Sequence, residues 1–261
     1  MADSVKLIRD GDIAQLFINR PEALNALNLE TMQCLGGHLI TLGGDDSVRG
    51  IVITGEGSAF SAGGDLKWAL GSPQGCSGAF REMAGVFHLG IVEIRRMSKP
   101  VIAAVNGVAA GGGFSLALAC DFRVMARSAI LQQAYTARGL CVNGGGTFTL
   151  PRLVGLARAL EIIAFDKPIS SEQALAWNLV TKVVDNGQAL AEAMNMAREL
   201  ADGSLNSFGW CKQLLMDSFG AALEAHLERE RTGLVSCASH RDGREGLEAF
   251  VEKRKPVFKL D

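Results

Sequence analysis

The pattern of apolar and polar residues near the start of the chain predicts a strand pair, a helix and a third strand. Two short apolar runs flank Asp10-Gly11-Asp12, three residue types that suit a tight hairpin turn. The stretch LNLETMQCLGGHLITL has helical spacing of its apolar residues, and Asn28 precedes it as a suitable N-cap. The apolar run GIVIT at 50–54 predicts a buried strand, so the order begins β, β, α, β.

A similar rhythm continues through the middle of the chain. The run PVIAAV at 100–105 predicts another buried strand, a glycine-rich helix follows it, and FRVMA and AILQQ predict further strands. A helix from Ala79 to about Met97 ends at Lys99-Pro100, because the residue before proline disfavours helical angles. The polar stretch 71–79 before this helix predicts a mobile surface loop.

The second half of the chain is predominantly helical in pattern. LARALEIIAF predicts a helix, Ser170 with Gln173 forms a capping box before the next one, and VTKVV predicts a last strand. Amphipathic helices then continue to the end. We therefore predict an α/β protein with a core at 1–200 and a helical region at 201–261, whose apolar faces need a partner surface such as another subunit.

Composition narrows the classes of function. The 261 residues are 48% hydrophobic, and 26 Lys and Arg residues against 28 Asp and Glu residues give a net charge of −2. A net charge this close to zero gives no positive electrostatic field that would attract nucleic acid, so we expect no nucleic-acid partner. No signal peptide or membrane-spanning segment is recognisable, so we expect a cytoplasmic protein with no membrane partner. The six cysteines lack CxxC spacing and predict reduced thiols, and no motif predicts a metal site.

Two stretches share the order strand, glycine-rich turn, helix: IVIT…FSAGGDLK at 51–67 and VIAAVNGVAAGGGFS at 101–115. The first N–H groups of a helix have no partner within the helix, and the helix dipole adds positive potential there. Two such turns could direct two N–H groups at one oxygen and form an oxyanion hole. Close packing of helices is the alternative reason for the glycines, whereas a dinucleotide site is disfavoured because neither stretch contains GxGxxG.

These stretches, with LVGLARALEII and the closing EGLEAFVEKRKPVF, resemble the enoyl-CoA hydratase/isomerase (crotonase) superfamily over nearly the whole chain. The resemblance implies the ClpP/crotonase-like fold of repeated ββα units with a C-terminal helical trimerisation region. It also implies an acyl-CoA thioester substrate, with coenzyme A as part of that substrate and no separate cofactor. A homotrimer or a hexamer made of two trimers is the implied assembly.

When the family's motifs are matched to this sequence, the resemblance assigns the two N–H groups of the oxyanion hole to Ala62 and Gly112. Lys67 could reach a phosphate or be a solvated surface lysine, and Asp65 could also cap the following helix. The positions that the resemblance assigns to binding the coenzyme A part are Ala23, Leu24, Ser61, Ala62, Gly64, Asp65, Leu66, Lys67, Phe250 and Lys253.

The chain departs from the family at the acid/base positions. The two glutamates of the family's hydratases correspond to Ser115 and Tyr135, neither of which is a good base at neutral pH. The single acid of a group of isomerases corresponds to Asn143, whose amide cannot take up a proton. Asn143 could orient a water or a substrate group, or serve only the turn geometry beside three glycines. His88 matches a histidine of 4-chlorobenzoyl-CoA dehalogenases and is either catalytic or structural.

The reaction expected from this set is therefore not two-glutamate hydration. The sequence looks closest to the ring-1,2-epoxyphenylacetyl-CoA isomerase group, which favours an isomerase that stabilises a thioester enolate. Two alternatives remain open: a paralogue that binds CoA thioesters with little or no activity, and a hydrolase or decarboxylase on the same scaffold.

Overall fold

A computed structural model describes residues 3–258, which form two β-sheets surrounded by helices. The strands are β1 (Val5–Asp10), β2 (Ile13–Ile18), β3 (Gly50–Gly55), β4 (Ala59–Ser61), β5 (Val101–Val105), β6 (Val108–Ala110), β7 (Phe122–Ala126), β8 (Ile130–Gln132), β9 (Ile169–Ser170) and β10 (Lys182–Val184). The α-helices are α1 (Leu29–Gly43), α2 (Leu66–Leu70), α3 (Gly75–Arg96), α4 (Gly112–Ala119), α5 (Gly146–Phe165), α6 (Ser171–Ala176), α7 (Ala189–Ala201), α8 (Leu205–Asp217), α9 (Leu223–Ser239) and α10 (Arg241–Glu252).

The larger sheet has six strands in the order β1-β2-β3-β5-β7-β10. Its strands are parallel except for the β1–β2 hairpin, in which Asp10 pairs with Ile13 across a turn that contains Gly11 at a φ of 61°. The predicted hairpin is therefore confirmed. The central strands β3 and β5 are buried along their whole length, as strands covered on both faces require.

The smaller sheet has the order β4-β6-β8-β9 and is built from very short strands. Each of the pairs β3–β4, β5–β6 and β7–β8 contributes its first strand to the larger sheet and its second to the smaller one, and one or two helices follow. This confirms the predicted rhythm of two strands and a helix. Because β4 and β6 are parallel neighbours, the turns that follow them lie at the same edge of the sheet.

Helix α3 begins earlier than the sequence predicts. It starts at Gly75 rather than Ala79, so only the first part of the predicted loop 71–79 is non-helical. Gly75 has a φ of +73°, and its N–H donates to the Ser72 carbonyl in the turn that enters the helix. The small residues at 75–78 have weak helical propensity and the first three are exposed, so this turn extends a helix whose remainder packs beside α1 and α2.

Other local predictions are confirmed by hydrogen bonds. The Asn28 side chain accepts from the Thr31 N–H at the start of α1, and Ser170 with Gln173 forms the predicted capping box at α6. Helix α5 is longer than predicted and contains a kink at Gly155, where φ is 77°.

The C-terminal helices are tied to the core by a buried ion pair. The Lys212 Nζ lies 2.7 Å from the Asp121 Oδ2 and 2.6 Å from the Ile94 carbonyl oxygen, and both charged side chains are almost fully buried. Asp121 also accepts the Val101 N–H. Helix α8 is thereby fixed beside the strands that carry the glycine-rich turns.

The outer faces of α9 and α10 leave several large apolar side chains uncovered in the single chain. Leu234, Leu247 and Phe250 are 72%, 64% and 82% exposed. The predicted division into 1–200 and 201–261 places these helices in the second region, and that division stays a prediction. Within residues 3–258 no helix is both long and apolar enough to cross a lipid bilayer.

Candidate active site

A cavity of about 810 Å³ opens where the turns after β4 and β6 meet helix α3 and the segment 132–143. Most of its wall is apolar, as in sites that bind an organic ligand. The large apolar side chains of the wall are Met32, Leu66, Phe80, Met83, Phe87, Val108, Leu140 and Val142.

Two backbone N–H groups with no partner stand in this wall, at Gly64 and Gly112. Neither N–H donates a hydrogen bond to any of the residues that the structure describes. A Cβ placed on Gly112 would lie 3.7 Å from the Gly64 nitrogen, so the two residues adjoin. Gly112 is the first residue of α4, where the dipole of the helix adds positive potential. The pair has the composition of an oxyanion hole.

The prediction that Ala62 supplies one of these N–H groups is wrong. The Ala62 N–H donates to the Leu24 carbonyl at 2.9 Å and is not free to bind a ligand. The chain then turns through Gly63, which has a φ of +94° and whose N–H lies 3.2 Å from the Ser61 Oγ. Gly64 is therefore the residue whose N–H remains unpaired in this turn.

The three glycines at 111–113 have different roles. Gly111 has a φ of 51°, a conformation that L side chains rarely adopt. A Cβ on Gly113 would lie 2.3 Å from the Ser61 carbonyl oxygen, so this residue permits close packing of α4 on β4. A Cβ on Gly112 would make only ordinary contacts at 3.6 Å and beyond. Gly112 is thus not required for packing, which leaves its N–H as the functional feature.

The residues expected to bind the coenzyme A part lie along two adjacent segments. The Leu27 N–H donates to the Gly63 carbonyl at 2.7 Å and the Asp65 N–H donates to the Leu27 carbonyl at 2.9 Å, which joins segment 23–27 to segment 61–65. Ala62, Gly64 and Leu66 line the cavity. The remaining predicted residues of these segments lie outside its wall: Ala23, Leu24, Ser61, Asp65 and Lys67.

Asp65 has the capping role that the sequence allowed. Its Oδ1 accepts the Trp68 N–H at the start of α2, and its Oδ2 lies 3.0 Å from the Arg20 Nη1. The carboxylate is thereby occupied by structural partners. Ser61 is also structural, because it is fully buried and donates to the Asn25 carbonyl. Lys67 is exposed on α2.

Tyr135 and Ser115 are neighbours. Tyr135 lines the cavity, whereas Ser115 lies behind its wall. Burial raises the pKa of the Tyr135 phenol above its usual value, and the adjacent Ser115 hydroxyl and Asn143 backbone N–H oppose this shift. Ser115 is 1% exposed, and its hydroxyl reaches no partner in the described residues at normal hydrogen-bonding geometry. Ser115 thus supports the wall and is not placed to touch a ligand, contrary to its prediction as a catalytic residue.

Asn143 lines the cavity and is held by His88. The His88 Nε2 lies 2.6 Å from the Asn143 Oδ1, although the two residues are 55 positions apart. With Oδ1 taken as the acceptor, the amide NH₂ is the part of Asn143 left for a ligand. His88 itself is exposed and does not line the cavity. Of the two roles that the sequence left open, the structure therefore favours the structural one, in which His88 holds Asn143.

Asp166 is a positioning residue that the sequence analysis missed. Its Oδ2 accepts the Ala137 N–H at 3.1 Å, its Oδ1 accepts the Ala134 N–H, and its backbone carbonyl accepts from the Gln132 side chain. These bonds fix the segment that carries Tyr135. The residue follows α5 in the left-handed conformation, and no local motif signals its role.

The polar side chains of the wall are donors or neutral groups. Among cavity-lining residues in the described range, Arg138 carries the only charge, and neither a carboxylate nor an imidazole is present. No group of three or more potential metal ligands occurs within residues 3–258. Phe250 and Lys253 lie outside the wall, so one chain by itself does not bring them to the ligand site.

The chain is similar to known proteins over almost its whole length. The family model described as enoyl-CoA hydratase/isomerase matches residues 9–261. The 1,2-epoxyphenylacetyl-CoA isomerase of Escherichia coli (strain K12) is 36% identical over 247 residues, which cover 94% of each chain. Carnitinyl-CoA dehydratase of Salmonella enteritidis PT4 (strain P125109) is 37% identical over 270 aligned residues, covering 99% of each.

Among solved structures, an enoyl-CoA hydratase from Polaromonas sp. JS666 superposes with a TM-score of 0.93 at 36% identity, covering 98% of this chain and 99% of that one. This match confirms the crotonase fold. The oxyanion-type glycine pair, the apolar cavity and the match over almost the whole chain lead to one conclusion: the protein belongs to the enoyl-CoA hydratase/isomerase family of acyl-CoA enzymes.

Proposed function

We propose that this protein is an acyl-CoA isomerase whose reaction passes through a thioester enolate. The observation that carries the proposal is the pair of unpaired N–H groups at Gly64 and Gly112 in the cavity wall. Two donors aimed at the thioester oxygen would stabilise the negative charge that develops there when the enolate forms.

The rest of the wall argues against hydration by two carboxylates. Hydration in that way needs one carboxylate to activate water and another group to deliver a proton. Ser115 and Tyr135 occupy the two corresponding positions, and the described wall contains no carboxylate. A neutral phenol is a poor base, and the raised pKa of Tyr135 lowers further the fraction of basic phenolate at neutral pH.

The same wall suits isomerisation of an acyl group that bears oxygen. When the α-proton leaves, the electron pair of the enolate can open a strained oxygen ring on the adjacent carbon, and the oxygen that is released can take up this proton, so that no carboxylate base is required. Hydrogen-bond donors stabilise the charge that develops on this oxygen. The Tyr135 hydroxyl and the Asn143 amide NH₂ supply such donors. The similarity to 1,2-epoxyphenylacetyl-CoA isomerase supports this choice among the reactions of the family.

The test is a set of thioesters followed by mass spectrometry in heavy water. We expect 1,2-epoxyphenylacetyl-CoA to form an isomer that contains no added water, apart from hydrogen exchanged with the solvent, and 2-enoyl-CoA to gain no water. Double-bond migration in 3-enoyl-CoA with deuterium uptake at the α-carbon would also support an isomerase. Tight binding of every thioester with no turnover of any would contradict the proposal and favour a binding paralogue.

Decarboxylation is a second candidate, favoured by the absence of a base from the described wall. Loss of carbon dioxide from a malonyl-type thioester creates the enolate directly, so no side chain has to remove a proton. The Tyr135 phenol would then protonate the enolate carbon. Release of carbon dioxide from methylmalonyl-CoA would establish this reaction, and its absence would leave isomerisation as the candidate.

We also propose that the protein forms a homotrimer or a dimer of trimers through its C-terminal helices. The apolar side chains on α9 and α10 would be covered by a second copy, which could also bring Phe250 and Lys253 beside a neighbouring cavity. Sedimentation equilibrium measures the assembly, and a monomer at micromolar concentration would contradict this proposal.

A further inference from the structure

A cationic side chain stands in the wall of the cavity without an acidic partner. Arg138 lines the cavity, and no carboxylate oxygen of the described residues lies within 4.0 Å of its guanidinium. The nearby Asp166 carboxylate is committed to the N–H groups of Ala134 and Ala137. Arg138 is exposed to solvent, and no other side chain of the wall neutralises its positive charge.

The backbone holds this arginine close to the reacting end of the cavity. The Arg138 N–H donates to the Tyr135 carbonyl at 2.9 Å, and its Nη1 donates back to the Ala134 carbonyl at 3.1 Å. The Tyr135 ring in turn lies 4.0 Å from a Cβ placed on Gly111, the residue before Gly112. Arg138 thus belongs to the same part of the wall as Tyr135 and the glycine pair.

The guanidinium has donors to spare for a ligand. It carries five N–H donors in a planar fork, of which one is used by the Ala134 carbonyl. A fork of this kind binds a carboxylate through two parallel hydrogen bonds. Its location beside Tyr135 favours an anion on the acyl group over the phosphates of coenzyme A, which the segments 23–27 and 61–67 are expected to bind.

We propose that Arg138 binds a carboxylate carried by the acyl group, so that the cavity prefers CoA thioesters of dicarboxylic acids to thioesters whose acyl group is uncharged. The inference rests on the proposed function, because it assumes that the cavity binds an acyl-CoA thioester with its carbonyl at Gly64 and Gly112. The Asn143 amide NH₂ gives a second donor in the same wall, and the apolar side chains of α3 would pack against the methylene groups between the two carbonyl carbons.

The experiment compares two saturated thioesters of equal chain length, glutaryl-CoA and valeryl-CoA, by calorimetry. Neither has a double bond, so binding is measured without isomerisation. We expect the wild-type protein to bind glutaryl-CoA about tenfold to a hundredfold more tightly, the range for hydrogen bonds to a charged group. Arg138→Leu should abolish this preference, and Arg138→Lys should restore part of it.

Arg81→Leu is the matched control. Arg81 is an exposed residue of α3, the helix that contributes to the wall, but it does not line the cavity. Its substitution removes the same charge from the protein and should leave the preference for glutaryl-CoA intact.

Three results would overturn the inference. Equal binding of the two thioesters by the wild-type protein would show that no acyl carboxylate is recognised, while the proposed thioester site would still stand. Equal weakening of both thioesters by Arg138→Leu would assign the arginine to a phosphate of coenzyme A. Failure of both thioesters to bind the wild-type protein would refute the proposed function together with the inference.

Discussion

The His88 Nε2 donates to the Asn143 Oδ1 across 2.6 Å, and this bond gives Asn143 its direction in the cavity wall. An imidazole N–H is a donor, so the amide oxygen turns toward it and the NH₂ group is left for the ligand. The position to which the family resemblance assigns an acid is thereby occupied by a hydrogen-bond donor. Several properties of the protein depend on this arrangement and on the glycine pair.

Asn143→Asp should introduce a group that can accept and return a proton. We expect double-bond migration in 3-enoyl-CoA to increase by about a hundredfold or more, the usual contribution of general acid–base catalysis. The gain should appear as the pH rises through about 4, where an ordinary aspartate ionises, and should be constant above it. Asn143→Leu is the control and should show no gain. An unchanged rate in Asn143→Asp across this pH range would mean that residue 143 does not face the reacting carbons.

Gly112→Pro should remove one oxyanion donor while leaving the helix in place. Proline is tolerated at the first position of a helix because its missing N–H has no helical partner there. We expect the kcat/KM to fall by roughly a hundredfold to a thousandfold. Gly112→Ala keeps the N–H, and its Cβ would make ordinary contacts, so it should retain most of the activity. Circular dichroism checks that both variants fold, and equal activity of the two would argue against the role of the Gly112 N–H.

Tyr135→Phe tests the phenol as a donor. The pKa of Tyr135 is raised by burial, so its hydroxyl keeps its proton through the neutral range and would lose it only above pH 10. A step that uses the protonated phenol should therefore be constant between pH 6 and 9 and decline as pH rises above the raised pKa. We expect Tyr135→Phe to lower kcat by about tenfold or more with little change in KM. A fall in rate only at low pH would point to a different group.

Lys212→Met should destabilise the fold by leaving a buried carboxylate without its partner. Removing one member of a buried ion pair costs about 3–5 kcal/mol. Urea denaturation measures the free energy of unfolding, and the double variant Lys212→Met with Asp121→Asn should lose less than the sum of the single losses. Additive losses would show that the 2.7 Å contact between these side chains contributes no coupling energy.

Alkylation of cysteine thiols should report where the ligand lies. Cys141 lines the cavity and is exposed, whereas Cys76 is exposed outside its wall. A bound CoA thioester should slow iodoacetamide modification of Cys141 severalfold and leave Cys76 unaffected. Burial raises the pKa of Cys120 to about 12, so this thiol should stay unmodified at pH 8 until the protein unfolds. Equal protection of both exposed thiols would indicate binding elsewhere.

The sequence predicts the strands and helices whose apolar spacing or cap residues are contained in a short stretch of chain. The long apolar strands and capped helices were identified because their residues carry the period or the cap. The smaller sheet was largely missed, because β4 and β6 are three residues each and consist of residues such as Ala and Ser with no strand pattern. Their structure comes from pairing with each other across 48 to 49 positions of sequence, which no local window contains.

In the candidate site, too, the sequence identifies individual residues, whereas contacts between distant segments decide their roles. The resemblance assigns the two oxyanion N–H groups to Gly112 and Ala62, whereas the structure leaves those of Gly112 and Gly64 unpaired. The difference depends on the hydrogen bond from the Ala62 N–H to the distant Leu24 carbonyl. Similarly, the sequence singled out both His88 and Asn143, while only the packing of α3 against the segment before α5 brings them together.

The clamp formed by Asp166 has a consequence for how this scaffold can change its chemistry. The carboxylate holds backbone N–H groups of Ala134 and Ala137 and makes no use of the side chains at 135 and 138. Substituting those two positions would therefore alter the acidity and the charge offered to a substrate while the path of the main chain stays the same. We expect specificity at this wall to change through the side chains at these two positions rather than through the path of the loop.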